Sequence, residues 1–179
     1  MDLVGIIDPR SDKLTTDFGS ETLPAYLEET GFRQVILNLA INARDAIGRT
    51  GKLKISLRKV ECGFPIMIDA GDEKRIAPQL GAEIRIEDDG QGIPPEFADK
   101  VFDPFFTTKD SESGSGFGLY NAKLYVEDHK GMIGFRSNPD EGTTFYIFLP
   151  LIEEEEGKKI GKRRSARRAT REFVKPRKR

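Results

Sequence analysis

A carboxylate at the end of a predicted strand is the first candidate for chemistry in this chain. Residues 83–87 alternate charged and apolar side chains, which is the period of a half-buried strand, and Asp88 follows them. Gly90 and Gly92 tolerate positive φ and carry no Cβ, so a flat ligand can lie against the main chain while Asp88 accepts its hydrogen bond. An ordinary acidic turn has the same composition, so this stretch alone leaves both interpretations open.

Three polar residues form a second candidate group on a predicted amphipathic helix. Apolar residues recur with helical spacing over residues 32–47, and Gly48 is expected to end the helix. Asn38, Asn42 and Asp45 are separated by four and three residues, so they form one polar line beside the apolar stripe. These side chains either hydrogen-bond neighbouring backbone or bind a ligand along the helix, and their spacing favours neither.

A glycine-rich loop is the third candidate, because it leads into a helix predicted at residues 119–128. Unpaired N–H groups and the positive end of the helix dipole suit a phosphate, although flexible loops also accumulate glycine. Three phenylalanines precede this loop within residues 102–109. Because they continue into polar, glycine-rich chain, they predict a hinged flap.

The remaining elements must position these groups. Strands are predicted at residues 13–18, 23–27 and 52–60, and the last should pair antiparallel with the strand before Asp88 across a loop at 62–81. A helical turn is predicted at residues 96–101 and a hairpin at residues 132–137 and 143–149.

Composition indicates one compact domain with tails. The 179 residues are enough for a core, the single Cys62 excludes an internal disulfide, and no apolar run approaches the ~20 residues of a membrane span. The amino end does not have the pattern of a secretory signal, so a cytoplasmic protein is expected.

Charge divides the chain into two unlike parts. Residues 1–152 carry 17 Lys and Arg against 25 Asp and Glu, whereas residues 153–179 carry 12 against 5. We therefore expect an N-terminal segment at 1–12, a domain at 13–152 and a charged, disordered tail at 153–179. Binding of nucleic acid or an anionic membrane by the tail is the less favoured alternative.

Four motifs in order resemble the ATP-binding domain of sensor histidine kinases, most closely the nitrogen-regulator type. Residues 38–46 (NLAINARDA) resemble its N box, 88–93 (DDGQGI) its first glycine box, 101–109 (VFDPFFTTK) its F box, and 114–119 (GSGFGL) its second glycine box. The endings at 141–145 (EGTTF) and 149–150 (LP) also fit, so the resemblance covers about residues 14–151.

This resemblance implies a fold and a ligand. The fold is the Bergerat-type ATP-binding fold shared with gyrase-type and mismatch-repair ATPases, an α+β two-layer sandwich with helices on one face of a mixed β-sheet. Asp88 would bind the adenine amino group, with Thr143 or Thr144 nearby through water, and Gly90 and Gly92 would make room for the base.

The resemblance also assigns the phosphate end of the site. Asn42 would ligate Mg²⁺, and the catalytic residues would be Asn38, Asn42 and Lys109. Residues 106–109 and 114–119 would form a lid and phosphate cradle, although Phe117 replaces the family's usual leucine. The full set implied to bind ATP is Asn38, Asn42, Asp45, Asp88, Gly90, Gly92, Ile93, Phe106, Thr107, Thr108, Lys109, Gly114, Ser115, Gly116, Phe117, Gly118, Leu119, Thr143 and Thr144.

Two departures from the family patterns affect the expected reaction. Gyrase-type ATPases have a water-activating glutamate where this chain has Asn38, and an amide cannot act as a general base, so transfer with slow hydrolysis is expected. The only histidine, His129, follows the last predicted helix, where a capping or surface role is favoured over phosphoacceptor. The expected partners are therefore a histidine-bearing dimerisation domain of the same kinase and a downstream response-regulator receiver, with the isolated domain monomeric.

Two other functions remain compatible with the motifs. A serine kinase of the anti-sigma type shares the ATP fold and needs no histidine helix. A nucleotide-sensing module would bind ATP without transferring its phosphate.

Overall fold

Five strands form one mixed sheet, and two helices cover one of its faces. The computed structural model describes residues 14–47, 51–62, 79–109 and 115–152. Within these ranges the elements are β1 (Leu14–Asp17), α1 (Glu29–Ile47), β2 (Leu53–Cys62), β3 (Gln79–Asp88), a 3-10 turn (Pro95–Phe97), α2 (Gly118–Asp128), β4 (Met132–Asn138) and β5 (Gly142–Pro150).

The sheet order is β1-β2-β3-β5-β4. β1 lies parallel to β2, and the other three neighbouring pairs are antiparallel. Both predicted antiparallel pairings, β2 with β3 and β4 with β5, are confirmed. Asp88, the last residue of β3, is paired with Thr143 near the start of β5.

Alternation along the strands separates a buried face from an open face. Ile84 and Ile86 of β3 are buried in the core with Leu39 of α1 and Val126 of α2. On the opposite face, the guanidinium of Arg85 lies over the ring of Tyr146, 5.3 Å from its centroid. The two-layer sandwich with helices on one face is therefore confirmed.

The predicted strand at residues 23–27 is wrong. Only Ala25 forms an isolated bridge, with Leu151, and the carbonyl of Pro24 accepts a hydrogen bond from the Ile152 N–H. Pro24 has no N–H group to donate to a ladder, so this segment follows the end of β5 without becoming a strand.

The predicted loop at 62–81 is too long, because β2 continues to Cys62 and β3 already begins at Gln79. Gly81 looks like a loop glycine in sequence. In the structure a Cβ at Gly81 would overlap the ring of Phe148, so this glycine allows close packing within the sheet. The helical turn predicted at 96–101 is a 3-10 turn at Pro95–Phe97 followed by hydrogen-bonded turns over residues 98–102.

Several predictions lie outside the described residues. These are the segments 1–12 and 153–179, Gly48 at the expected helix end, and Gly114 in the second glycine box. Neither helix in the described ranges is both long enough and apolar enough to cross a membrane.

Candidate functional site

The loop at residues 88–93, called the acidic loop below, lies against the end of α1. The Gln91 N–H donates to the carbonyl of Ala46 at 3.4 Å, and a Cβ on Gly90 would lie 2.6 Å from the carbonyl carbon of Ala46. Gly92 has a φ of +73°, and a Cβ there would overlap the carbonyl of Asn138. These glycines were expected to make room for a flat ligand, but both adjoin the protein's own backbone. They hold the acidic loop against α1 and the β4–β5 turn.

Asp88 keeps one carboxylate oxygen unused. Its Oδ1 accepts from the N–H groups of Gly90 at 3.0 Å and Thr143 at 3.3 Å, and no described group donates to Oδ2. Burial raises the pKa of Asp88, the two N–H groups lower it, and nearby Asp89 raises it, with a net rise above the ordinary value. Asp88 therefore has one carboxylate oxygen available to accept from an N–H group of a ligand.

Two hydroxyl groups beside Asp88 include one that the sequence analysis missed. Ser137 Oγ lies 2.9 Å from Thr143 Oγ1 and 2.7 Å from the N–H of Ile93, which donates to it. The predicted hairpin already brought Ser137 and Thr143 to facing strand ends, and that pairing was the signal available in sequence.

The two threonines expected near the base lie on different faces of the sheet. Thr143 is buried and pairs with Asp88, whereas Thr144 pairs with Glu87 and with Arg136. Because adjacent side chains of a strand point to opposite faces, Thr144 is directed away from Asp88. The structure therefore brings Thr143, and not Thr144, together with the acidic loop.

The polar line on α1 holds a cation supplied by the chain itself. The Lys109 ammonium donates to Asn42 Oδ1 at 3.2 Å and to Asp45 Oδ2 at 2.6 Å. Burial raises the pKa of Asp45, but hydrogen bonds and charge from Lys109 and Arg44 outweigh it and leave the pKa below its ordinary value. Asn42, Asp45 and Lys109 are thus brought together as predicted, around a positive charge.

Asn38, one turn earlier on α1, connects the two helices. Its Nδ2 donates to the carbonyl of Gly118 at 3.1 Å, and its Oδ1 accepts from Gln34 at 2.8 Å. Gly118 is the first residue of α2, so Asn38 places the end of the second glycine box against α1. For Asn38 the structural interpretation holds, because its amide hydrogen-bonds the protein's own backbone. That backbone belongs to the second glycine box, where a ligand was also predicted.

The described lid residues are 106–109 and 115–119, and Phe105, just before the first of these segments, pairs with Phe117 in the second. Phe105 is 72% exposed with a φ of +68°, and its ring meets Phe117 edge-on with centroids 4.6 Å apart. Gly116 also has positive φ and lies so close to the Phe105 backbone that a Cβ would overlap it. The contacts of Phe105 with Gly116 and Phe117 therefore join the chain just before the first lid segment to the second lid segment.

The remaining predicted lid residues occupy mixed surroundings. Phe106 is half-buried against Phe97, with ring centroids 5.5 Å apart, and Leu119 packs against the core. Thr107 Oγ1 accepts from the Lys109 N–H at 3.1 Å, whereas Thr108 is exposed. Ser115 Oγ accepts from the Phe117 N–H at 3.4 Å. The flap prediction is wrong for Phe102, which is buried in the core.

His129 performs the capping role predicted for it. It follows the last residue of α2, and its Nδ1 lies 2.7 Å from the carbonyl of Tyr125. The imidazole also stacks on the Tyr125 ring with centroids 4.1 Å apart. These contacts hold the His129 ring against the last turn of α2.

The chain resembles sensor kinases over most of its length. Sensor kinase CckA of Brucella abortus (strain 2308) is 36% identical over 144 residues, which are 80% of this chain and 15% of the relative. Sensory histidine kinase/phosphatase NtrB of Azospirillum brasilense is 34% identical over 131 residues, which are 73% of this chain and 31% of the relative. The chain therefore spans less than a third of either kinase.

Solved structures show the same fold. The nucleotide-free catalytic domain of histidine kinase ThkA has a TM-score of 0.56 and 26% identity, covering 79% of this chain and 81% of that domain. The mycobacterial sensor histidine kinase MprB has a TM-score of 0.60 and 24% identity, covering 84% and 95%. A family model described as histidine kinase-, DNA gyrase B-, and HSP90-like ATPase matches residues 27–153. This chain belongs to that ATPase family.

Proposed function

We propose that residues 13–152 form the catalytic domain of a sensor histidine kinase, which moves the γ-phosphoryl of Mg-ATP to a histidine on a separate dimerisation domain. The observation that carries the proposal is the Lys109 ammonium bound by Asn42 Oδ1 and Asp45 Oδ2. Oxygen atoms on this helix face already hold a positive charge, and the relatives at 34% and 36% identity are sensor kinases.

Asp88 and its neighbours would bind the adenine end of ATP. The free Oδ2 of Asp88 is an acceptor for the adenine amino group, and Thr143 lies directly across the ladder. The acidic loop is held by Ala46 on one side and Asn138 on the other, so this acceptor is fixed before ligand arrives. Such preorganisation lowers the ordering cost of binding.

Asn42 would meet Mg²⁺ at the phosphate end, with Asp45 nearby. The described residues contain no cluster of three or more His, Cys, Asp or Glu that suits a metal ion. A cation that arrives on the nucleotide would need few protein ligands, because Mg²⁺ commonly takes one or two and completes its shell with phosphates and water. Bound Mg²⁺ would neutralise charge on the transferring phosphate, while Lys109 and the lid would cover that phosphate.

Asn38 supports transfer over hydrolysis. Its amide is engaged by Gly118 and Gln34, and an amide has no basic group with which to activate water. We therefore propose slow intrinsic ATPase activity and a histidine acceptor on a partner domain, with a response-regulator receiver as the next acceptor. The isolated domain is proposed to act as a cytoplasmic monomer.

The experiment combines nucleotide binding with the chemistry of the product. Calorimetry should show heat with Mg-ATP, and no heat would contradict the nucleotide site itself. Labelled ATP and a separately purified histidine-bearing dimerisation domain should then yield acid-labile phosphate. Acid-stable phosphoserine would indicate the serine kinase instead, and binding without transfer to any acceptor would indicate a nucleotide sensor.

A further inference from the structure

Two oxygen atoms on α1 share one ammonium group. Lys109 Nζ donates to Asn42 Oδ1 at 3.2 Å and to Asp45 Oδ2 at 2.6 Å, although 67 and 64 residues separate Lys109 from them in sequence. The other carboxylate oxygen, Asp45 Oδ1, accepts from Nε and Nη2 of Arg44 at 3.0 and 2.7 Å. Asn42 Oδ1 and Asp45 Oδ2, called the oxygen pair below, are therefore the acceptors that the Lys109 ammonium joins.

The oxygen pair has the chemistry of a ligand set for a hard divalent cation. Carboxylate and carbonyl-type oxygens suit Mg²⁺ and Mn²⁺, and these two already converge on one positive charge. Like charges repel strongly at contact distance, so the ammonium and a divalent cation cannot both use the pair. Lys109 must therefore leave the pair before a metal ion can take both oxygens.

The protein's own contacts place Lys109 over the oxygen pair. Phe106 packs against Phe97, with ring centroids 5.5 Å apart, and its N–H donates to the Asp103 carbonyl at 3.3 Å. Thr107 Oγ1 accepts from the Lys109 N–H at 3.1 Å. These contacts fix the lid backbone just before Lys109, so the side chain is directed to α1 by the fold itself.

A phosphate group can draw Lys109 away from this position. The Lys109 and Asp45 side chains are about one third exposed, so water screens their attraction and the pair is weak. A triphosphate carries several negative charges and forms charge-assisted hydrogen bonds with an ammonium, which makes it a stronger partner than one carboxylate. The same movement of Lys109 then binds the phosphate and uncovers the oxygen pair.

We infer that Lys109 is a specificity-determining residue, which makes the site accept a metal–nucleotide complex and exclude the free metal ion. This inference rests on the proposed function, because the phosphate that draws Lys109 away belongs to the bound nucleotide. Without nucleotide, the ammonium covers the oxygen pair. With nucleotide, it follows the phosphates, and the pair is open to the metal ion that they carry.

Titration of nucleotide-free protein with Mn²⁺ tests this exclusion, because Mn²⁺ takes the same oxygen ligands as Mg²⁺ and its free concentration can be read by electron paramagnetic resonance. Lys109→Met should bind Mn²⁺ at least about tenfold more tightly than wild type, because a positive charge at contact distance repels a divalent ion even in water. Lys109→Arg keeps the charge and should bind Mn²⁺ as weakly as wild type. Lys100→Met removes the same charge from an exposed side chain and should also stay at the wild-type level.

Two double variants locate the metal ion that Lys109→Met admits. Adding Asp45→Asn or Asn42→Ala to Lys109→Met should remove the gain in Mn²⁺ affinity, because each takes away one member of the oxygen pair. In Lys109→Met alone, Mn²⁺ should broaden the backbone amide signals of Asn42 and Asp45. A gain that survives both additions would place the ion elsewhere and overturn the inference.

Equal Mn²⁺ affinities of wild type and Lys109→Met would also overturn the inference, as would an equal gain in Lys100→Met. If Lys109→Met does not fold, wild type decides: Mn²⁺ should broaden the Asn42 and Asp45 amide signals only after ATP is added, and broadening before ATP overturns the inference. Any of these results alongside calorimetric heat with Mg-ATP rejects the inference and leaves the proposed function standing. No heat with Mg-ATP rejects both.

Discussion

The Lys109 ammonium lies 2.6 Å from the Asp45 carboxylate and so fastens the lid to the last turns of α1. Both side chains are about one third exposed, at 31% and 33%, so solvent screens their attraction. Such a pair contributes at most about 1 kcal/mol to folding. Lys109 can therefore exchange Asp45 for a phosphate group at little cost to the fold.

Lys109→Met should separate catalysis from folding. We expect the melting temperature to be almost unchanged and single-turnover phosphotransfer to fall roughly a hundredfold, the usual loss when one electrostatic donor is removed from a transition state. The matched control is Lys100→Met, which removes the same charge from an exposed side chain. Equal transfer rates in the two variants would contradict a role for Lys109 at the phosphate.

Asn42→Ala should remove the Mg²⁺ dependence of ATP binding while the fold survives. Asn42 is half-buried and its Oδ1 accepts from Lys109, so it is both a proposed ligand and a structural partner. Calorimetry with and without Mg²⁺ measures the first role, and circular dichroism measures the second. Asn121→Ala, on the exposed face of α2, is the control. Unfolding of Asn42→Ala alone would favour the structural role.

Asp88→Asn should weaken ATP binding without weakening the fold. A hydrogen bond to a charged group contributes about 1.5–3 kcal/mol, which corresponds to roughly a ten- to hundredfold loss of affinity. The amide oxygen can still accept from Gly90 and Thr143. Asp89→Asn is the neighbouring control, because Asp89 bonds the Lys52 N–H instead. Unchanged ATP affinity in Asp88→Asn would exclude the adenine assignment.

The raised pKa of Asp88 predicts that the stability of the fold depends on pH. Burial leaves the folded pKa of Asp88 above its unfolded value, so the folded state binds this proton more tightly. The stability that Asp88 contributes is then full below the unfolded pKa and is lost as pH rises through the folded pKa. In denaturant titrations, the free energy of unfolding of Asp88→Asn should increase relative to that of the wild type as pH rises across this window.

Asp45 provides the opposite sign for comparison. Its folded pKa is lowered, so the stability it contributes is present above the unfolded pKa and is lost as pH falls through the folded pKa. The free energy of unfolding of Asp45→Asn should therefore increase relative to that of the wild type as pH falls. Parallel pH profiles for the Asp88 and Asp45 variants would contradict one of the two directions, and the shared slope would show which one.

Gly90→Ala should destabilise the domain more than the same change at Gly118. A Cβ at Gly90 would lie 2.6 Å from the Ala46 carbonyl carbon, and backbone cannot move aside as a flexible side chain can. The expected loss is about 1–3 kcal/mol. At Gly118 the nearest atom is 3.7 Å away, and alanine is the better helix former, so stability should be equal or higher. Thermal unfolding measures both, and similar losses would show that the Gly90 contact is unimportant.

Local periodicity was sufficient to predict the main elements. The helical spacing of apolar residues predicted α1, and strict alternation predicted β3 up to Asp88, because burial on one face imposes each period directly on the sequence. The polar line of Asn38, Asn42 and Asp45 follows from the same geometry. Its partner Lys109 was placed at the site by resemblance to the family.

The parts that failed depend on contacts between distant segments. Gly81 was predicted to lie in a loop, but it lies in β3, where its lack of a side chain leaves space for the ring of Phe148 in β5. Choosing Thr143 over Thr144 requires the register of β5 against β3. The contacts of Ser137 likewise require distant segments in place, because Ile93 follows β3 and Gly142 and Thr143 begin β5.

Main-chain contact between Gly90 and Ala46 has a consequence for how nucleotides could be distinguished. These backbone contacts join the loop that carries Asp88 directly to the end of α1, which carries Asn42 and Asp45. The lid is held to α1 through the Lys109 side chain, which is about one third exposed. We therefore expect substitutions in the lid to change how long a nucleotide stays bound and to leave base preference unchanged.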